Sequence, residues 1–174
     1  MQCEKKVEDV MNSIIDYPHI PYWFSIRQAI RTVRVSLPGY SKKNFGPFSV
    51  LVFDEKYNFL GTLSLQDIMK GLEPRFFKPD TGFHPPEEDF SGPSVIWDSL
   101  FSKQSKELAE KQVSEIMAPA EYFIGPDDPL TKAAYFMLKN NLVLLPVLEN
   151  KRKLVGLVRM AEIFDAISDE VLKN

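Results

Sequence analysis

The chain has 174 residues, 44% hydrophobic and 26% charged, with a formal net charge of −3. This is an ordinary globular composition, and the slight acidity offers no general attraction to nucleic acid or to an anionic membrane. Cys3 is the only cysteine, and His19 and His84 are the only histidines, so no intrachain disulfide can form and no Cys/His cluster exists to hold zinc.

The start, Met1 to Lys6, leads into an acidic, alternating stretch rather than an apolar core. The longest apolar runs are far too short to span a bilayer. A cytoplasmic protein is therefore expected, without a signal peptide or a membrane partner.

Val7-Glu8-Asp9-Val10-Met11 opens the pattern. Ile20 to Trp23 reads as a strand and Ser25 as an N-cap, and Ile26, Ala29, Ile30 and Val33 form the apolar stripe of a helix. Pro38 to Pro47 reads as a loop. Phe48 to Phe53 is a strand, Glu55 to Asn58 a hairpin turn, Phe59 to Leu63 the returning strand, and Leu65 to Leu72 a helix that stops near Gly71 and Pro74. From Pro74 to Pro93, five prolines and two glycines argue against regular structure. The four phenylalanines there (Phe76, Phe77, Phe83, Phe90) argue against free disorder, because they can bury apolar area on the rest of the molecule. Trp97 to Gln112 returns to helical patterning.

The order then repeats. Val113-Ser114-Glu115-Ile116-Met117 restates the opening motif. Glu121 to Ile124 reads as a short strand, with Asp128 as N-cap and Pro129 at the first helical position. Leu130 to Lys139 is a helix that exits through Asn140-Asn141. Val143 to Leu148 has the continuous apolar run of a strand buried on both faces. Glu149 to Arg152 is a turn, Leu154 to Val158 a strand, and Met160 to Ile167 a closing helix. Phe48 to Asp67 aligns without a gap to Val143 to Glu162, and Val52, Gly61 and Ala29 fall on Val147, Gly156 and Ala133. This internal repeat predicts an α/β fold of two β-α-β-β-α units, each a mixed sheet with helices on one face, packed about a pseudo-twofold axis. The expected divisions are 1–73 for the first repeat, 74–105 for an insertion and linker helix, and 106–174 for the second repeat. A unit of this size is marginal alone, so each copy is expected to cover the helices of the other.

This arrangement resembles a tandem pair of cystathionine-β-synthase-type (CBS) domains, also called a Bateman module. The residues that carry the resemblance are the two Val-x-[Asp/Glu]-[Val/Ile]-Met entries, Leu144 to Leu148, Leu154 to Val158, and Phe59 to Asp67. It covers nearly the whole chain outside 74–105. It implies a regulatory module rather than an enzyme, with no catalytic residue and no required cofactor. The ligand it implies contains adenosine: AMP, ADP, ATP, NAD or S-adenosylmethionine. It also implies a disc-like homodimer and a regulated partner protein. The family's ribose-contact pattern, Gly-h-x-[Ser/Thr]-x-x-Asp with h apolar, matches Gly61, Thr62, Ser64 and Asp67. In the second copy Arg159 replaces the hydroxyl and Glu162 the aspartate. Pro146 belongs to the pattern, and Leu51 stands in its place in the first copy. Each half departs from the pattern somewhere, which implies one good site rather than two.

Each candidate also has a plainer reading. Ser64 to Asp67 forms a capping box as it stands; it could also place Asp67 on a ribose diol and Ser64 near phosphate at the helix N-terminus. Arg159 could reach a ligand phosphate or be a solvated end-of-strand charge, with Glu162 beside it. Ile20, Pro21, Val50, Leu51 and Leu145 are core residues first and could wall an adenine. Lys42-Lys43, His19, His84 and Glu87-Glu88-Asp89 read as surface or loop. The rival to a ligand sensor is a ligand-free interaction or scaffold module with degenerate sites.

Overall fold

The computed structural model describes residues 5–36, 49–72 and 103–173. The loop expected at Pro38 to Pro47 and the Pro/Phe-rich stretch from Pro74 to Pro93 lie outside these residues, as does the start of the helical pattern at Trp97. In chain order the elements are β1 (Asn12–Ser13), β2 (His19–Pro21), α1 (Ile26–Ser36), β3 (Ser49–Phe53), β4 (Phe59–Ser64), α2 (Leu65–Leu72) and α3 (Lys103–Leu108). They continue with β5 (Ala118–Pro119), α4 (Leu130–Lys139), β6 (Leu144–Glu149), β7 (Lys153–Arg159) and α5 (Met160–Val171).

Local chemistry explains most of the boundaries. Ser25 opens α1 with a reciprocal box: its hydroxyl accepts the Gln28 N–H at 3.2 Å, and its own N–H donates to Gln28 Oε1 at 2.8 Å. The β3–β4 turn is tied by Asp54, whose carboxylate accepts the N–H groups of Lys56 and Asn58 and the Asn58 side-chain amide. In the β6–β7 turn Asn150 and Lys151 take φ of 51° and 59°, the left-handed pair at the centre of a primed turn closed by the Arg152 N–H on Glu149 O at 3.1 Å.

Some expectations shift. The strand expected at Ile20 to Trp23 is His19–Pro21. The strand expected at Glu121 to Ile124 reduces to one parallel bridge, Ile124 to Val147. Pro129, not Asp128, is the N-cap of α4. Asp128 instead accepts the Gly125 N–H at 2.9 Å and the Lys132 ammonium at 2.7 Å, so it ties the preceding turn and the first helical turn. Helix α5 runs on to Val171 because Ile167 and Val171 continue its apolar spacing.

The two copies share strand order. β2 runs parallel to β3, and β3 pairs antiparallel with β4. β6 and β7 pair the same way, with the register slip after Val147 at the position equivalent to the slip after Val52. The entry segments cross between the copies. β1 adds to the edge of β7 in the second repeat, and β5 adds to the edge of β4 in the first. The crossing is symmetric in its backbone bonds: Val7 and Glu8 donate to Asp128 and Pro126, as Val113 and Ser114 donate to Phe24 and Tyr22. Val7 is accordingly buried in the core of the second repeat, and Val113 in the core of the first.

The middle strands divide their side chains between two cores, as period-2 alternation requires. Val50 and Val52 pack under α1 and α2, while Leu51 and Phe53 meet Leu148, Leu154 and Leu157 of the other repeat. The sister repeat therefore covers the sheet faces, not the helices as expected. Ile68 and Ile163 are buried beneath their own helices, while Met69 and Phe164 stay 61% and 67% exposed.

Candidate ligand site between the repeats

Two helix-opening boxes stand at equivalent places. In the first repeat β4 ends at Ser64, whose hydroxyl accepts the Asp67 N–H at 3.1 Å. Asp67 Oδ2 in turn accepts the Ser64 N–H at 2.8 Å and the Ser64 hydroxyl at 2.6 Å. This satisfies donors that a helix start leaves open. Asp67 Oδ1 receives no hydrogen bond from a described residue. The capping reading is thus realised, and one charged acceptor remains for another donor.

In the second repeat the Arg159 N–H donates to Glu162 Oε2 at 2.8 Å, which repeats the backbone half of the box. The guanidinium then folds back on the same carboxylate. Nε donates to Oε1 at 2.9 Å and to Oε2 at 3.1 Å, and Nη2 also donates to Oε1. Burial pushes the Glu162 carboxyl up, but Arg159, by its side chain and its N–H, and Asn12 nearby outweigh this and hold it below its usual value. Asn12 acts by proximity, since its buried Nδ2 makes no hydrogen bond of normal geometry among the described residues. Glu162 raises the Arg159 pKa, chiefly by its side-chain hydrogen bond. Arg159 thus holds the Glu162 carboxylate through Nε and Nη2.

Other expected site residues separate. Ser64 pairs in register with Ser49, but Pro21 pairs with Phe53 at the far end of β3. The rise of a strand puts those places about 13 Å apart. Val50, Leu51 and Leu145 are fully buried and Ile20 nearly so. The side chains of Val50 and Ile20 are spent on the α1–α2 core, Leu145 on the α4–α5 core and Leu51 on the contact between repeats. None of these four side chains lines a cleft described below.

Among the described residues, one cleft between the repeats has a volume of about 90 Å³. It is lined by Gly61 and Thr62 of β4, Ala118 to Ala120, and Tyr122, Leu142, Leu144 and Pro146 of the second repeat. Thr62 lies two residues along β4 from Ser64. Sequence reasoning passed over Ala118 to Ala120, Tyr122 and Leu142. Their signal was weak: small residues where the first copy has Asn12, Ser13 and Ile14. A wider groove, about 610 Å³, lies on the outer helical face between α4 and α5, lined by Leu130, Ala134, Ile163, Ile167 and Val171. Among the described residues no group of three His, Cys, Asp or Glu side chains is placed to hold a metal. No helix among them is long and apolar enough to cross a membrane.

Two mixed-sheet repeats, joined face to face with exchanged entry segments and with a helix-capping box at the equivalent place in each, define a paired α/β module. Residues 113–169 match the family model described as CBS domain, and the whole chain has the fold of CBS-pair structures. No curated protein matches. Among solved structures, the chain is similar to the CBS-pair protein CBSX2 from Arabidopsis thaliana (TM-score 0.64, 16% identity, covering 99% of this chain and 100% of that one). CBSX2 has also been solved in complex with AMP (TM-score 0.60, 16% identity, 95% and 98% covered). The CBS pair of MJ0100, in complex with 5′-methylthioadenosine and S-adenosyl-L-methionine, is similar as well (TM-score 0.60, 17% identity, 97% and 99% covered). So is the cytosolic domain of the Mg2+ channel MgtE in complex with ATP (TM-score 0.59, 18% identity), of which the chain covers 48% while 92% of this chain is covered.

Proposed function

We propose that this chain is a cytoplasmic regulatory module, not an enzyme, that binds an adenosine-containing ligand between its repeats and passes the occupancy to a partner protein. The observation that carries the reading is the first box: a helix-opening carboxylate with one oxygen unengaged among the described residues, two residues along β4 from Thr62 of the inter-repeat cleft. Its support from outside is the fold shared with CBS pairs solved with AMP, with ATP and with S-adenosyl-L-methionine. Asp67 would accept the ribose hydroxyls and Ser64, at the N-terminus of α2, would lie near phosphate. The backbone edges near Ile20, Val50, Leu51 and Leu145 would be what remains of the adenine wall. A ligand that prefers one arrangement of the two repeats shifts the equilibrium toward it, and that shift would be the signal. The Arg159–Glu162 pair, which occupies the second box, favours the second reading, a scaffold module that no longer takes a ligand.

A thermal-shift screen of AMP, ADP, ATP, NAD and S-adenosylmethionine separates the two. At a hundredfold excess over Kd, a ligand that binds only the native state adds about 2.7 kcal/mol, which moves Tm up by about 5–10 °C for a chain of this size. No shift with any of the five at millimolar concentration would leave the scaffold reading standing.

The apolar residues left on the outer helices, Met69, Phe164, Ile167 and Leu172, fit a contact with a second copy. We expect an isologous homodimer, so light scattering should give twice the chain mass of 20.0 kDa. A monomer mass at high micromolar concentration contradicts this.

A further inference from the structure

We infer that Arg159 acts as a built-in occupant of the second repeat's box, and that this one side chain restricts the module to a single nucleoside site. The inference rests on the ligand reading above and goes beyond it. The two boxes have the same backbone. Ser64 N–H reaches Asp67 Oδ2 at 2.8 Å, and Arg159 N–H reaches Glu162 Oε2 at 2.8 Å. They differ in what else holds the carboxylate. Among the described residues Asp67 engages only its own cap, through Oδ2. Glu162 has both oxygens engaged by the guanidinium of Arg159.

A carboxylate offers about four lone-pair positions, and the guanidinium fork is matched to it in geometry and charge. A neutral diol is the weaker partner and would have to displace a cation that is tethered three residues away and always present. The register closes the box further. Asn12 pairs with Leu157 where, in the first repeat, Ala118 pairs with Thr62, so a buried amide stands where the first box has a methyl group. The longer Glu162 is also needed: its extra methylene lets the carboxylate meet both the Arg159 N–H and the guanidinium.

The test is binding stoichiometry by titration calorimetry with AMP, and separately with S-adenosylmethionine. It compares the unaltered protein with Arg159→Ser and with Arg159→Ser/Glu162→Asp, which rebuilds the first repeat's Ser-x-x-Asp box. Arg159→Gln, which keeps the length of the side chain but not the cation, is the variant to use if the serine forms do not fold. The unaltered protein should bind one equivalent. The rebuilt box should bind two, the second with affinity raised roughly tenfold or more over any second site in the unaltered protein. Folded variants that still bind one equivalent overturn the inference, as do two equivalents bound by the unaltered protein. If the unaltered protein binds none and the rebuilt form binds one, the first-repeat site falls and the role of Arg159 stands. If none of the folded proteins binds either probe, both fall.

Discussion

Asp67→Ala should lower affinity for a bound adenosine ligand at least tenfold, while Glu162→Ala should change it far less. Asp67 is the box carboxylate with an oxygen unengaged among the described residues, and hydrogen bonds from ligand hydroxyls to a charged acceptor are worth about 1.5–3 kcal/mol each. One such bond at the lower end already accounts for a factor of about ten. Glu162 is held by Arg159, so its removal costs a ligand little. The substitution at Asp67 also removes the acceptor of the Ser64 N–H and hydroxyl, which should cost on the order of 1 kcal/mol of stability. Titration calorimetry well below the melting temperature of the variant separates the two effects. The opposite ranking would move the site to the second repeat. Equal, unchanged affinities for a confirmed nucleotide would remove both boxes from the site.

Gly61→Ala should be the more damaging of the two glycine substitutions. The entry segment of the second copy crosses directly over β4, and a Cβ at Gly61 would stand 2.2 Å from Ala118 O and 3.0 Å from Pro119 Cα. Both are backbone atoms and neither can yield unless the β4–β5 pair separates. Overpacking of this kind costs about 3 kcal/mol, or a fall in Tm of about 6–12 °C. At Gly156 the nearest atom is Met11 Sδ, at 2.7 Å, the flexible part of a side chain that can turn aside, and the nearest backbone atom, Asn12 O, stands at 3.0 Å rather than 2.2 Å. Gly156→Ala should therefore cost roughly 1 kcal/mol. Thermal unfolding of the two single variants checks the order, and an equal loss would mean that the crossing over β4 is looser than its geometry.

The repeat, the order of its elements and the ends of several of them were legible in the chain itself. α2 and α4 begin and end where apolar spacing and punctuation placed them, at Leu65–Leu72 and Leu130–Lys139. The hairpins follow from Asp54 and from Asn150-Lys151. Information of this kind is local: a period, a cap or a left-handed turn is carried by a few neighbouring residues. The alignment of Gly61 with Gly156 was equally visible, but its cause was not. Both glycines lie under an entry strand that comes from the other copy, and pairing over so long a sequence separation leaves no local pattern.

The tertiary structure alone decided which face of an all-apolar strand meets which core. Every residue of β3 is buried, so its composition could not distinguish Val50, under the helices, from Leu51, against the other repeat. It also decided the state of the boxes. From sequence, Arg159 was a charge at a strand end with several roles open to it. Placing Glu162 three residues on, at the start of α5 and within reach of the guanidinium, turned it into a closed ion pair. The motif letters at 64–67 and 159–162 determined which groups each box contains. Side-chain length and the packing of the crossed segments determined which carboxylate oxygen is left without a partner.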